Sequence, residues 1–106
     1  MSGEALWSKV VSGLTAGGEE LQTTTGLWFR ASSQGERLFI DSATEHTPSC
    51  NLSMQRPISK KDFLFVHSYY DRWVGGETGV RHEVSRKSRN TAYIFALIGK
   101  SLMEGE

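Results

Sequence analysis

The chain has 106 residues, 38% hydrophobic and 23% charged, a composition that fits one globular domain and excludes an intrinsically disordered segment. Its formal net charge of zero excludes a role that rests on strong whole-molecule electrostatics. The longest apolar run, Ala92 to Ile98, is too short to span a bilayer, and the single cysteine, Cys50, leaves no internal disulfide.

The opening stretch MSGEALWSKVVSGL carries an early Glu4, Lys9 as its one positive side chain and no sustained apolar block. That order of parts is not a secretory signal's, so a cytoplasmic protein without a membrane partner is expected. The zero net charge hides an asymmetry. Residues 1–55 hold three basic and six acidic side chains, whereas residues 56–100 hold nine basic and four acidic.

Residues 3–15 predict a helix. Leu6, Val10 and Leu14 recur every four positions with Trp7 and Val11 beside them, giving one apolar stripe, and Gly17-Gly18 supplies a stop. From residue 20 the period shortens to two. LQTTTGLWFRA is rich in Thr and aromatics, and Leu27 and Phe29 alternate with Trp28 and Arg30. Gly26–Ala31 and Arg37–Asp41 read as a hairpin around the turn signal SSQG. Leu21–Thr25 is either a preceding strand or the start of the same one. DSATEHTPS reads as a polar loop. CNLSM, where Leu52 and Met54 alternate, reads as a further strand ended by Pro57.

ISKKDF carries a helix start. Ser59 stands at the N-cap with Asp62 three residues on, a capping box with Asp for Glu, and Ile58 can staple onto Phe63. The helix predicted over 59–74 places Phe63, Val66, Tyr70, Trp73 and Val74 on one broad face and ends at Gly75-Gly76. ETGVRHEVSRK is a connection with one short helical turn at Val80–Val84. A final helix runs from about Thr91 to Met103, capped by Ser88 or Asn90, with Ile94, Leu97 and Ile98 inward and Tyr93 at its edge. The expected fold is therefore α+β, a single domain over 1–106 in the order α-β-β-β-α-α. A small antiparallel sheet of three to four strands packs against the helices in two layers.

Few residues suggest reaction chemistry. His46, His67, His82 and Cys50 have no CxxC, HxH or HExxH spacing, so no metal site is assigned. No GxSxG elbow is present, and Cys50 follows a Pro-Ser turn with nothing local to lower its pKa. Glu36, Asp41 and Glu45 read as surface charge, and GGETG lacks the Lys-Ser/Thr ending of a phosphate-binding loop. No catalytic residue and no cofactor is assigned. A small enzyme with a pocket between sheet and helices stays as the third reading.

The leading reading is a binding module. Arg81, Arg86, Lys87 and Arg89 lead into the final helix, whose N-terminus carries unpaired N–H groups and a positive partial charge. With Lys60 and Lys61 at the preceding helix start, they predict contact with nucleic acid or another anionic ligand. The plainer alternative is a solvated loop in which Arg86 or Arg89 pairs with Asp71, Glu77 or Glu83. The rival function is a protein-interaction or adaptor role. Phe65, Tyr69, Tyr70 and Trp73 widen the helix face beyond what one core needs, which predicts an interface, most simply that of a homodimer.

TTTGLWFRA and RLFI as a hairpin, a third strand, ISKKDF opening a helix and SRNTAYIFALI near the C-terminus together resemble a pattern of small bacterial proteins encoded by mobile integron gene cassettes. The resemblance spans roughly residues 20–100. It implies a compact α+β fold and a dimeric state, and it implies no activity and no site residue.

Overall fold

A computed structural model describes residues 2–104. The elements run α1 (Gly3–Gly13), β1 (Glu19–Gln22), β2 (Trp28–Gln34), β3 (Arg37–Ser42), β4 (Arg56–Ile58), α2 (Lys60–His67), α3 (Tyr70–Val74), α4 (Val80–Ser85) and α5 (Thr91–Glu104). The four strands form one antiparallel sheet in the order β1-β2-β3-β4. The α+β class and the two-layer arrangement follow from one alternation. Leu21, Phe29, Ala31, Leu38, Ile40 and Ile58 are buried, and the register sets Leu21 opposite Phe29, Ala31 opposite Ile40 and Leu38 opposite Ile58. Because side chains alternate across a strand, this face is apolar and the other carries Glu20, Arg30, Asp41 and Arg37.

Helices α1, α2 and α5 pack on one another over the apolar face. Leu6, Trp7, Val10 and Val11 of α1 meet Phe63 and Val66 of α2 and Ile94, Phe95, Leu97 and Ile98 of α5 in one continuous core. Trp7 and Phe63 lie edge to face with centroids 5.3 Å apart. Among the described residues no helix is long and apolar enough to cross a membrane.

Several boundaries differ from the sequence pattern, each for a physical reason. The predicted turn SSQG shrinks to Gly35-Glu36, and Ser32 to Gln34 continue β2. Gly35 has φ 62°, which glycine adopts without penalty at the first position of a two-residue hairpin turn. Ser33 stays in the strand because its buried hydroxyl serves α1. Its Oγ lies 2.8 Å from the Val11 carbonyl and 2.9 Å from that of Leu14, two groups that the end of α1 leaves without helical partners. Helix α1 therefore stops at Gly13 rather than at residue 15.

CNLSM is not a strand. Cys50 donates its N–H to the Trp28 carbonyl at 2.8 Å, Leu52 is tied to the Ser42 hydroxyl, and Met54 is 76% exposed. The fourth strand is Arg56–Ile58, with Pro57 inside it rather than after it. It is an edge strand, where a residue without an N–H costs no ladder bond.

The helix predicted over 59–74 is two helices. Ser68 Oγ donates to the Phe65 carbonyl at 2.6 Å, a local bond that competes with the helical ladder. The chain bends at Ser68-Tyr69, and α3 then lays Trp73 flat on Phe95 of α5, 4.4 Å between centroids and 13° between planes. Val74, expected inward, is 60% exposed after the bend. The connection after Gly76 holds α4, whose Val80 and Val84 are buried.

Replacing Ser33 by Ala should remove the one hydroxyl hydrogen that the Val11 and Leu14 carbonyls share and cost about 1–3 kcal/mol. Urea unfolding at an unchanged m-value measures it.

Candidate functional site

The junction of β4, α2 and α5 is built from polar groups that satisfy one another. Ser59 caps α2, accepting the Asp62 N–H on its Oγ at 3.0 Å as its position in ISKKDF requires. The Asp62 carboxylate does not close a reciprocal capping box. Its Oδ2 accepts from Nδ2 of Asn90 at 2.9 Å. Asn90 is 6% exposed and immediately precedes α5, where its carbonyl accepts from the Ile94 N–H. Its Oδ1 accepts from the Arg56 guanidinium of β4 at 3.3 Å. The amide orientation follows from its partners, since a guanidinium only donates and a carboxylate only accepts. Asn90 is thus the polar link between three elements, and Ser88 bonds only locally, through the Asn90 N–H and its own carbonyl to Thr91 Oγ1.

Around this junction lie four clefts that share lining residues. The first is lined by Gly79, His82, Glu83, Arg86 and Lys87. Lys87 continues into a second cleft of about 270 Å³ with Ser59, Lys61, Asp62 and Phe65. Ser59 and Asp62 continue into a third of about 560 Å³, which adds Glu36, Arg37 and Lys60. Pro57 and Asn90 lead into the fourth, which adds Arg56 and Arg89. Arg37, Arg56, Lys60, Lys61, Arg86, Lys87 and Arg89 line this grooved face against Glu36, Asp62 and Glu83. A chain of zero net charge therefore carries a face with a clear basic excess.

The cations of this face are unequally engaged. Lys60 pairs with the exposed Glu4 at 2.9 Å. Arg56 is held by Asn90 and lies over the Tyr93 ring, 6.0 Å from its centroid. Lys61, Arg86, Lys87 and Arg89 are exposed, and their side chains have no hydrogen bond or ion pair among the described residues. None of the acids that the sequence offers to Arg86 and Arg89 pairs with them among the described residues. Arg72 binds Glu77 and lies 3.8 Å from Glu83, while Asp71 is exposed on α3. Arg81 stands apart from the other predicted cations. It donates to Thr24 Oγ1 at 2.7 Å, in the turn between β1 and β2, and lines none of the four clefts.

The aromatic residues predicted to form an interface are all half-buried and packed against the core. Tyr70 and Trp73 close on Phe95, and Tyr69 meets Phe65 edge to face and has the Arg72 guanidinium over its ring. The surplus aromatic surface is smaller than the helix pattern suggests. Of this group only Phe65 also lines one of the clefts.

A second polar cluster lies on the outer face of the sheet, and its centre, Glu20, carries no sequence signal. Its side chain is 3% exposed because residues 43–49 fold over it. It accepts from Arg30 at 2.8 Å, from the Thr44 N–H at 2.7 Å and hydroxyl at 3.2 Å, and from the Glu45 N–H at 3.1 Å, and it meets His46 Nδ1 at 2.8 Å. The His46 ring stacks on Trp28, 4.0 Å apart. Burial of the carboxylate pushes its pKa up. The bonds from the Thr44 N–H, His46, the Glu45 N–H and the Thr44 hydroxyl outweigh that and bring it from 4.5 down to about 2. All of its partners are structural, so the cluster pins the loop to the sheet. Among the described residues no group of three His, Cys, Asp or Glu side chains gathers to hold a metal ion.

No protein-family model, curated protein or solved structure matches the chain.

Two measurements probe this geometry. Asn90→Ala removes a donor from half-buried Asp62 and should destabilise by about 1–3 kcal/mol, read by urea unfolding. The lowered Glu20 pKa stabilises the fold fully above the unfolded value of 4.5, and that contribution fades as pH falls toward about 2. Thermal melts of the parent should drop through this window. Glu20→Gln should melt lower at neutral pH and drop less across it.

Proposed function

We propose that this protein is a small binding module that holds nucleic acid on the basic face around β4, α2 and the start of α5. One observation carries the reading. Seven basic and three acidic residues line four linked clefts of a neutral chain, and Lys61, Arg86, Lys87 and Arg89 have no protein partner among the described residues. Unpaired cations ranged along a groove match the repeating charge of a phosphate backbone. Each one that neutralises a phosphate releases condensed counterions, which favours binding at low salt. The linked clefts extend that contact beyond what a single phosphate or carboxylate needs.

Phosphate contact of this kind positions a strand without reading its sequence, so affinity should depend strongly on ionic strength. Arg81 is outside the proposed contact set, because its guanidinium is bonded to Thr24 on another part of the surface. Lys60 joins the set once its exposed pairing with Glu4 gives way, since such a pair is worth at most about 1 kcal/mol.

The test is a salt titration of oligonucleotide binding by fluorescence anisotropy. The parent should bind at low ionic strength, with log K falling linearly against log salt. The triple substitution Arg86→Ala, Lys87→Ala and Arg89→Ala should reduce that slope by about one per lost contact. It should change folding stability by no more than about 0.5 kcal/mol, as surface substitutions do. Absence of binding by the parent at low ionic strength would reject the reading.

A further inference from the structure

The cleft of about 270 Å³ between the start of α2 and the segment joining α4 to α5 contains more than positive charge. Lys61 and Phe65 stand one helical turn apart on α2, on the same side, and Lys87 faces them from the segment before α5. Phe65 is half-buried, braced edge to face by Tyr69 at 5.3 Å, so the ring is held in place rather than free to fold away. Ser59 and Asp62 complete the wall. Asp62 accepts from Asn90 through Oδ2, and its Oδ1 has no protein donor among the described residues. The Ser59 hydroxyl accepts from the Asp62 N–H, which leaves its own hydrogen for an outside acceptor.

A double helix makes poor use of such a set. Its bases are stacked on one another and paired along their edges, and a carboxylate facing its phosphate ridge repels it. An unpaired strand uses every component. A base face can lie on the Phe65 ring, the flanking phosphates fall to Lys61 and Lys87, and the carboxylate accepts from a donor on the same nucleotide. A ribose 2′-hydroxyl is such a donor beside every base, and it is what separates RNA from DNA at a protein surface.

We propose, resting on the nucleic-acid reading above, that the ligand of this face is single-stranded RNA, with one base stacked on Phe65 between Lys61 and Lys87 and its 2′-hydroxyl donated to Asp62. The strand continues past Lys87 to Arg86 on one side and past Asn90 to Arg56 and Arg89 on the other.

The experiment compares three labelled probes on the full chain at one low salt concentration: a mixed-sequence RNA single strand, the DNA single strand of the same sequence, and the corresponding RNA duplex. The single RNA strand should bind several-fold more tightly than either. Phe65→Leu, which keeps an apolar side chain on the core, should weaken its binding about tenfold, the loss of one stacked base, and leave duplex binding within about twofold. Phe65→Tyr, which keeps a stacking ring, should bind as the parent does, and melting curves establish that both variants fold. Equal affinity for single-stranded RNA and DNA would overturn the assignment to RNA. A duplex bound as tightly as the single strand, with no effect of Phe65→Leu, would overturn the stacking site and leave the general nucleic-acid reading standing. If no probe binds, both readings fall together.

Discussion

The buried amide of Asn90 is the interaction on which the rest of the basic face depends. It lies where β4, α2 and α5 come together, and it donates to Asp62 of α2 while accepting from Arg56 of β4. Lys61 stands beside Asp62, Arg89 precedes the amide itself, and Lys87 lies two residues further back. Their relative positions are therefore set by one short polar chain inside the protein rather than by the long side chains at its surface. A neutral amide suits this place. It bonds an anion and a cation at once without adding a charge that would need a partner of its own.

Several acidic residues of this neutral chain are paired away from the cation-rich face. Arg30 and three residues of the loop over the sheet occupy Glu20, Lys100 pairs with Glu19, and Arg72 takes up Glu77 and approaches Glu83. The distribution of ion pairs, more than the count of charges, decides where unbalanced charge remains.

The sequence reading identified what local rules govern. The Ser59 cap, the alternation through Phe29 and Ile40, and the inward face of Ile94, Leu97 and Ile98 follow from spacing alone, and together they establish the α+β sandwich of sheet and helices. What it missed depends on partners distant in the chain. Glu20 looks like any strand-edge acid until Thr44, Glu45 and His46 fold over it. The two serines in SSQG look like turn residues until α1 presents carbonyls for Ser33 to bond. Pro57 looks like a strand terminator unless the strand is known to lie at the edge of the sheet. The bend at Ser68 is invisible to a helical period because Tyr70 and Trp73 fit that period, and only contact with Phe95 gives them a different direction. For the site itself, the cations before α5 stand out in the sequence. Arg37 and Arg56 do not, because they come from a strand and an edge strand that share no local motif, and Phe65 stands out only as part of the aromatic helix face.

Asp62 lies at the centre of this arrangement and works against simple electrostatic attraction. It lines two of the four clefts and brings a negative charge among the positive ones. It is the acceptor that the Asn90 amide meets there, and on the proposed nucleic-acid reading that has a consequence for recognition. A carboxylate beside a phosphate track lowers the affinity of every polyanion that offers only phosphates, and it is compensated when the ligand brings a hydrogen-bond donor to the same spot. Discrimination arises from such a penalty as much as from attraction, because a partner that cannot satisfy the carboxylate must bury it unpaired. On the proposed nucleic-acid reading, the residue that ties the helices together would also filter what the cations beside it hold.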